Sequence, residues 1–125
     1  MSSSILVVED DDALVRSIDR NLVARGHTVQ SAGTVAAALT LVGLERPDLV
    51  LLDVDLPDGS GWEVLRSLRS GPGEDVAVIV LSGLRPNPRY IQELRCAAIL
   101  EKPFPMDSLL RLVSECLGTS GAKVI

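Results

Sequence analysis

The run Leu49-Val50-Leu51-Leu52 places four aliphatic residues in a row and ends on Asp53. Successive side chains of a strand point to opposite faces, so a run with no polar position is stable only where both faces are covered. A parallel sheet covered by helices meets that condition. Ile5-Leu6-Val7-Val8 repeats the pattern and ends on Glu9-Asp10-Asp11-Asp12. Residues 76–81 repeat it again and end at Ser82-Gly83. Residues 27–32 alternate enough for a second strand, and residues 96–100 give a weaker fifth, ending at Glu101-Lys102-Pro103.

Helical spacing fills the intervals. Leu14, Val15, Ile18, Leu22 and Val23 share one face, and Gly26 supplies a stop. Thr34 can cap a helix through Val35, Ala38, Leu39 and Val42 that ends before Pro47. Residues 56–61 are loop chemistry, and a helix with Val64, Leu65 and Leu68 follows, stopping at Gly71-Pro72-Gly73. Residues 84–88 hold two prolines and read as irregular; a short helix over 89–95 follows them. The last helix carries Met106, Leu109, Leu110, Val113 and Leu117.

Strand then helix, five times, predicts an α/β fold: a doubly wound (βα)5 arrangement with a five-stranded parallel sheet and an atypically short fourth helix. The expected organisation is one domain over residues 1–125, with a core over 4–117 and a polar tail over 118–125. Apolar residues make up 46% of the chain, yet it holds one Trp, one Tyr and one Phe, so the core must be aliphatic. The net charge of −5 argues against direct nucleic-acid binding. Cys96 and Cys116 lack metal-ligand spacing and read as reduced thiols packed on the core. With no signal-like start and only strand-sized apolar runs, the expectation is a cytoplasmic protein that does not enter a membrane.

In an open parallel sheet the strand C-termini share one edge, and ligands bind there. That edge should collect Glu9, Asp10, Asp53, Ser82 and Lys102. Three carboxylates in one crevice repel one another, and a hard divalent cation such as Mg²⁺ removes the conflict. Lys102 adds a point charge suited to a phosphoryl oxygen, and Ser82 adds a hydroxyl donor. The set suits phosphoryl transfer, with a carboxylate itself as nucleophile. Asp53 ends the central run and is assigned as acceptor, with Glu9 and Asp10 as metal holders. Asp11 and Asp12 read as a solvated helix start. His27, at the opposite edge, reads as structural or exposed.

These residues resemble the response-regulator receiver family over residues 4–117. Ile5-Leu6-Val7-Val8-Glu9-Asp10-Asp11 is similar to its first strand and acidic pair, and residues 48–61 are similar to its phosphoacceptor strand and loop. Val80-Leu81-Ser82-Gly83 occupies the place of its hydroxyl switch residue, and Lys102-Pro103-Phe104 matches its lysine motif, where the Lys-Pro peptide is usually cis. The resemblance implies a CheY-like, flavodoxin-like strand order, 2-1-3-4-5. It implies that Asp53 accepts phosphate from a sensor histidine kinase or phosphotransfer protein. It implies Mg²⁺ held by Glu9, Asp10, Asp53 and the backbone carbonyl of Asp55, with Ser82 and Lys102 on the phosphoryl group. It further implies a signalling phosphoacceptor rather than an enzyme, with only slow autodephosphorylation. Its output would be a downstream protein partner, an output domain in a longer chain, or a phosphorylation-dependent homodimer.

The chain departs from the family pattern at three places. Ser82 stands where Thr is commoner, and Ile99 stands where Tyr or Phe usually serves as a rotating aromatic. The segment from Ser82 to Lys102 is shorter than the usual spacing. These departures keep a phosphorylation-independent pseudo-receiver in view. Asp53-Val54-Asp55 also resembles the nucleophile motif of haloacid-dehalogenase phosphatases. Pro57, the third-strand position and the lack of room for a cap speak against that reading. A dinucleotide fold is disfavoured because Glu9 to Asp12 would repel a pyrophosphate where a glycine-rich loop is needed.

Overall fold

A computed structural model of the chain describes residues 3–83 and 86–118. Of the irregular segment expected over 84–88, residues 84 and 85 lie outside the described residues, as do 119–125 of the expected tail.

The aliphatic runs form β1 (Ser4–Val8), β3 (Leu49–Asp53) and β6 (Ala77–Ser82), with β2 (Thr28–Ala32) and β7 (Ala98–Glu101) at the edges. All pairings in this sheet are parallel and its order is β2-β1-β3-β6-β7, the predicted doubly wound order. The helices are α1 (Asp12–Ala24), α2 (Val35–Leu44), α3 (Gly61–Arg69), α4 (Pro88–Glu93) and α5 (Met106–Cys116). Strand alternation divides the core in two. Leu6, Val8, Val50, Leu52, Val78 and Val80 pack with Val35, Ala38, Trp62, Val64, Leu65 and Leu68. Ile5, Val7, Leu49, Leu51, Ile79 and Leu81 pack with Ile18, Leu22, Leu109, Leu110 and Val113. Each buried Val, Leu or Ile among them contributes roughly 1.5–3 kcal/mol. This double burial is the physical reason the runs lack polar positions. Cys96 and Cys116 are free, half-buried, and packed on opposite cores. Burial raises both thiols above their ordinary pKa.

Caps set the helix starts. Asp11 accepts from the Leu14 N–H at 3.1 Å, and Thr34 Oγ1 accepts from the Ala37 N–H at 3.0 Å. Gly26, at φ 92, turns the chain out of α1.

Several boundaries differ from expectation. Residues 56–61 are not all loop: β4 (Asp55–Leu56) and β5 (Gly59–Ser60) form a small antiparallel hairpin. Val76 precedes β6 because its N–H turns back to the Gly73 carbonyl at 3.1 Å. The fourth helix stops at Glu93, short of 95, because Arg95 adopts φ 56, outside helical space. Its end closes as a Schellman motif: Cys96 N–H donates to the Ile91 carbonyl and Arg95 N–H to that of Gln92. That turn delays the last strand from 96 to Ala98.

Arg69 secures this region. Its Nε donates to the Leu94 carbonyl at 2.7 Å, Nη2 to that of Arg95 at 3.1 Å, and Nη1 to those of Glu74 at 3.0 Å and Val76 at 2.8 Å. The planar guanidinium fork thus ties α3, the turn before β6 and the turn before β7 together. Among the described residues no helix is long and apolar enough to cross a membrane.

Candidate functional site

β1 and β3 are central strands, and their C-terminal ends deliver Glu9 and Asp53 to one edge. Both are almost fully buried, at 2% and 4% exposed, while Asp10 is exposed. Oxygens of Glu9, Asp10 and Asp53 lie within 4.8 Å of one another. Lys102 follows β7 and reaches back across the edge. Its Nζ lies 2.5 Å from Glu9 Oε1 and 3.2 Å from Asp53 Oδ2. The Lys102 backbone is fixed by its N–H to the Ser82 carbonyl at 2.7 Å. The Lys102-Pro103 peptide is cis.

Glu9 and Lys102 form a close ion pair through Oε1. Burial pushes the Glu9 pKa up; the Lys102 ammonium and the Asp11 N–H pull it down without cancelling the shift. Burial alone would lower the Lys102 pKa, but its contacts with Glu9 and Asp53 outweigh that and raise it. One ammonium thus faces three carboxylates. The uncompensated negative charge and the all-oxygen donor set fit a hard cation such as Mg²⁺.

Asp53 is fixed from three sides. Its Oδ1 accepts from the Asp55 N–H at 3.0 Å, its Oδ2 meets Lys102, and its backbone is crowded by Gly61. A Cβ on Gly61 would fall 2.2 Å from the Asp53 carbonyl oxygen and 2.9 Å from Val54 Cα. Only a glycine lets α3 begin so close to the end of β3. Ser60 and Glu63 close that helix start as a capping box, Ser60 Oγ accepting from Trp62 N–H at 3.2 Å and Glu63 Oε2 from Ser60 N–H at 3.1 Å.

Ser82 ends β6, is 1% exposed, and pairs in register with Glu101, next to Lys102. The edge therefore gathers Glu9, Asp10, Asp53, Ser82 and Lys102. Asp55 stands at the first position of the hairpin beside them. Ile99 lies elsewhere. It pairs with Val80 and packs on the α2–α3 core, the same cluster that Tyr90 and Leu94 pack against. His27 precedes β2 and takes no part in the site.

Two features escaped the sequence reading. Asp58, at the hairpin turn, accepts from the Val35 N–H at 2.7 Å and the Ala36 N–H at 3.1 Å, capping α2 from outside. Those bonds hold its pKa below the ordinary carboxylate value. Its sequence signal, Pro57-Asp58-Gly59, reads as ordinary turn chemistry. The second is the α3–α4 seam, where the Tyr90 ring lies 5.2 Å from Trp62 at 55° and 5.2 Å from the Arg66 guanidinium. Sparse aromatics were the available clue.

Comparison with known proteins bears on the same residues. A family model described as the response regulator receiver domain matches residues 5–114. The response regulator MprA of Mycobacterium ulcerans is 39% identical over 112 residues, covering 88% of this chain and 48% of that protein. Its namesake in Mycobacterium tuberculosis is 38% identical over the same length. The chain thus spans about half the length of the curated relatives it matches. Among solved structures, a CheY-like response regulator receiver domain protein from Methanospirillum hungatei superposes with a TM-score of 0.89 at 26% identity, covering 98% of this chain and 99% of that one. The non-phosphorylated HemR receiver domain of Leptospira biflexa gives 0.85 at 27% identity, over 93% and 94%.

Proposed function

The chain belongs to the response regulator receiver family, and from that premise we propose that Asp53 accepts a phosphoryl group and that residues 4–117 act as the switch it drives. The observation that carries this is the reach of Lys102 Nζ to both Glu9 and Asp53 across a cluster of three carboxylates.

In the proposed reaction an Asp53 oxygen bonds to phosphorus as the P–N bond of a donor phosphohistidine breaks. The imidazole leaves and the acyl phosphate remains on Asp53. The negative charge of the carboxylate then resides on the phosphoryl oxygens. Lys102, already 3.2 Å from Oδ2, shifts its ion pair to one of them. Ser82 donates its hydroxyl to another. Glu9, Asp10, Asp53 and the Asp55 carbonyl would hold Mg²⁺, which neutralises phosphoryl charge during transfer. The Asp55 N–H to Oδ1 bond fixes the carboxylate plane, and positioning of this kind is most of what phosphoryl transfer asks of a protein.

On this reading the donor is a sensor histidine kinase or phosphotransfer protein. The output is a downstream partner, an attached output domain, or a phosphorylation-dependent homodimer, in the cytoplasm. The protein turns over no substrate beyond slow loss of its own phosphate. The test is intact mass after acetyl phosphate and Mg²⁺. Wild type should gain one phosphoryl mass and Asp53→Asn none. Labelling of Asp53→Asn at the wild-type rate would remove Asp53 as acceptor, and many turnovers of a phosphorylated small molecule would point to a phosphatase.

A further inference from the structure

Asp58 touches none of the proposed site groups, yet it joins the two segments that carry them. On one side it belongs to the β4–β5 hairpin, whose first residue is Asp55. On the other it holds the first turn of α2 through the Val35 and Ala36 N–H groups, 2.7 and 3.1 Å away. The chain just before that turn lies on the acidic pair. Glu9 N–H donates to the Ala32 carbonyl at 2.9 Å, and a Cβ on Gly33 would sit 3.8 Å from the Glu9 carbonyl oxygen and 3.9 Å from Asp10 Cα.

A continuous chain of contacts therefore runs from Asp55, through the hairpin turn and Asp58, into the start of α2, and back through Gly33 and Ala32 to Glu9 and Asp10. We infer that Asp58 is a positioning residue for the cation site, a strut that sets the separation between the Asp55 carbonyl and the Glu9–Asp10 pair. The inference rests on the receiver reading above.

A second cap on the same helix separates positioning from plain stability. Thr34 Oγ1 accepts from the Ala37 N–H at 3.0 Å and is not part of the hairpin. Thr34→Ala weakens the α2 start without loosening Asp55. Asp58→Ala removes both bonds and releases the hairpin. Asp58→Asn keeps one acceptor oxygen, is the milder variant, and serves where Asp58→Ala does not fold.

The experiment titrates Mg²⁺ into each folded protein and follows backbone amide chemical shifts, with no phosphoryl donor present. Thermal midpoints are recorded in parallel. Asp58→Ala should weaken Mg²⁺ by about 10-fold, the scale of outer-shell effects on metal sites, with Asp58→Asn between it and wild type. Thr34→Ala should lower the thermal midpoint and leave the Mg²⁺ affinity unchanged. Wild-type affinity in the Asp58 variants overturns the strut, as does an equal loss in Thr34→Ala. A wild-type protein that takes no Mg²⁺ overturns the receiver reading itself, a distinct result.

Discussion

Glu9 and Lys102 meet at 2.5 Å across the C-terminal edge of the sheet, with the Glu9 side chain buried and the lysine side chain a quarter exposed. Lys102 is the only cation in contact with the carboxylate cluster among the described ion pairs. Replacing it with alanine should slow acetyl-phosphate labelling of Asp53 by roughly 100-fold, the low end for loss of a preorganised charge donor. Time-resolved intact mass measures this, and a wild-type rate in Lys102→Ala would remove the lysine from the reaction.

Gly61 offers a sharper steric test. The 2.2 Å approach of its would-be Cβ to the Asp53 carbonyl involves backbone on both sides, so no side-chain rotation relieves it. Gly61→Ala should cost about 3 kcal/mol, the upper range for overpacking. Urea unfolding reads the loss. A variant as stable as wild type would show that α3 can start farther from β3.

Arg95 sits in the left-handed C′ position of the α4 Schellman motif, where glycine is usual. Arg95→Gly should stabilise the fold by roughly 1 kcal/mol, because a Cβ in that conformation is strained. Its side chain gives up little, since its bond to the Glu74 carbonyl is long, 3.4 Å, and exposed. Arg69→Lys is the counterpart and should destabilise, since an ammonium cannot reproduce the planar fork that reaches Leu94, Val76 and Arg95. Denaturant midpoints of the two variants should move in opposite directions.

Asp58 predicts a pH dependence. Its folded pKa lies below the ordinary 3.8 because of bonds from the Val35 and Ala36 N–H groups. For a depressed carboxyl the stabilisation is fully present above the unfolded value and is lost as pH falls through the folded one. The stability gap between wild type and Asp58→Asn should therefore be constant above 3.8 and close below it. Unfolding curves across that range test the sign, and a gap that widens on acidification would contradict it.

The main sheet and most of the site were legible because their signals are contiguous. A strand buried on both faces must be an aliphatic run, and in a parallel sheet the residue after each run belongs to the ligand edge. Residues 5–10, 49–53 and 76–82 needed no knowledge of distant neighbours. The features that were missed depend on such neighbours. Asp58 caps a helix 23 residues earlier in the chain. Arg69 reads as a surface charge until the carbonyls of residues 94 and 95 turn toward it. Position 95 holds no glycine to announce a left-handed turn, so the sequence pattern runs the fourth helix past Glu93 and starts the last strand before Ala98. Ile99 was legible as a departure from the family pattern. That an aromatic contact would instead lie between α3 and α4 was not, because Trp62 and Tyr90 are 28 positions apart and share no local pattern.

That aromatic contact has an optical consequence. The chain contains one Trp and one Tyr, and their rings lie 5.2 Å apart. At this separation light absorbed by Tyr90 passes to Trp62. Emission from the unlabelled protein therefore originates at a single seam, where α3 follows the β4–β5 hairpin and meets the shortened α4. Intrinsic fluorescence thus becomes a local reporter of the surroundings of Trp62 at that seam, with no dye and no engineered reporter.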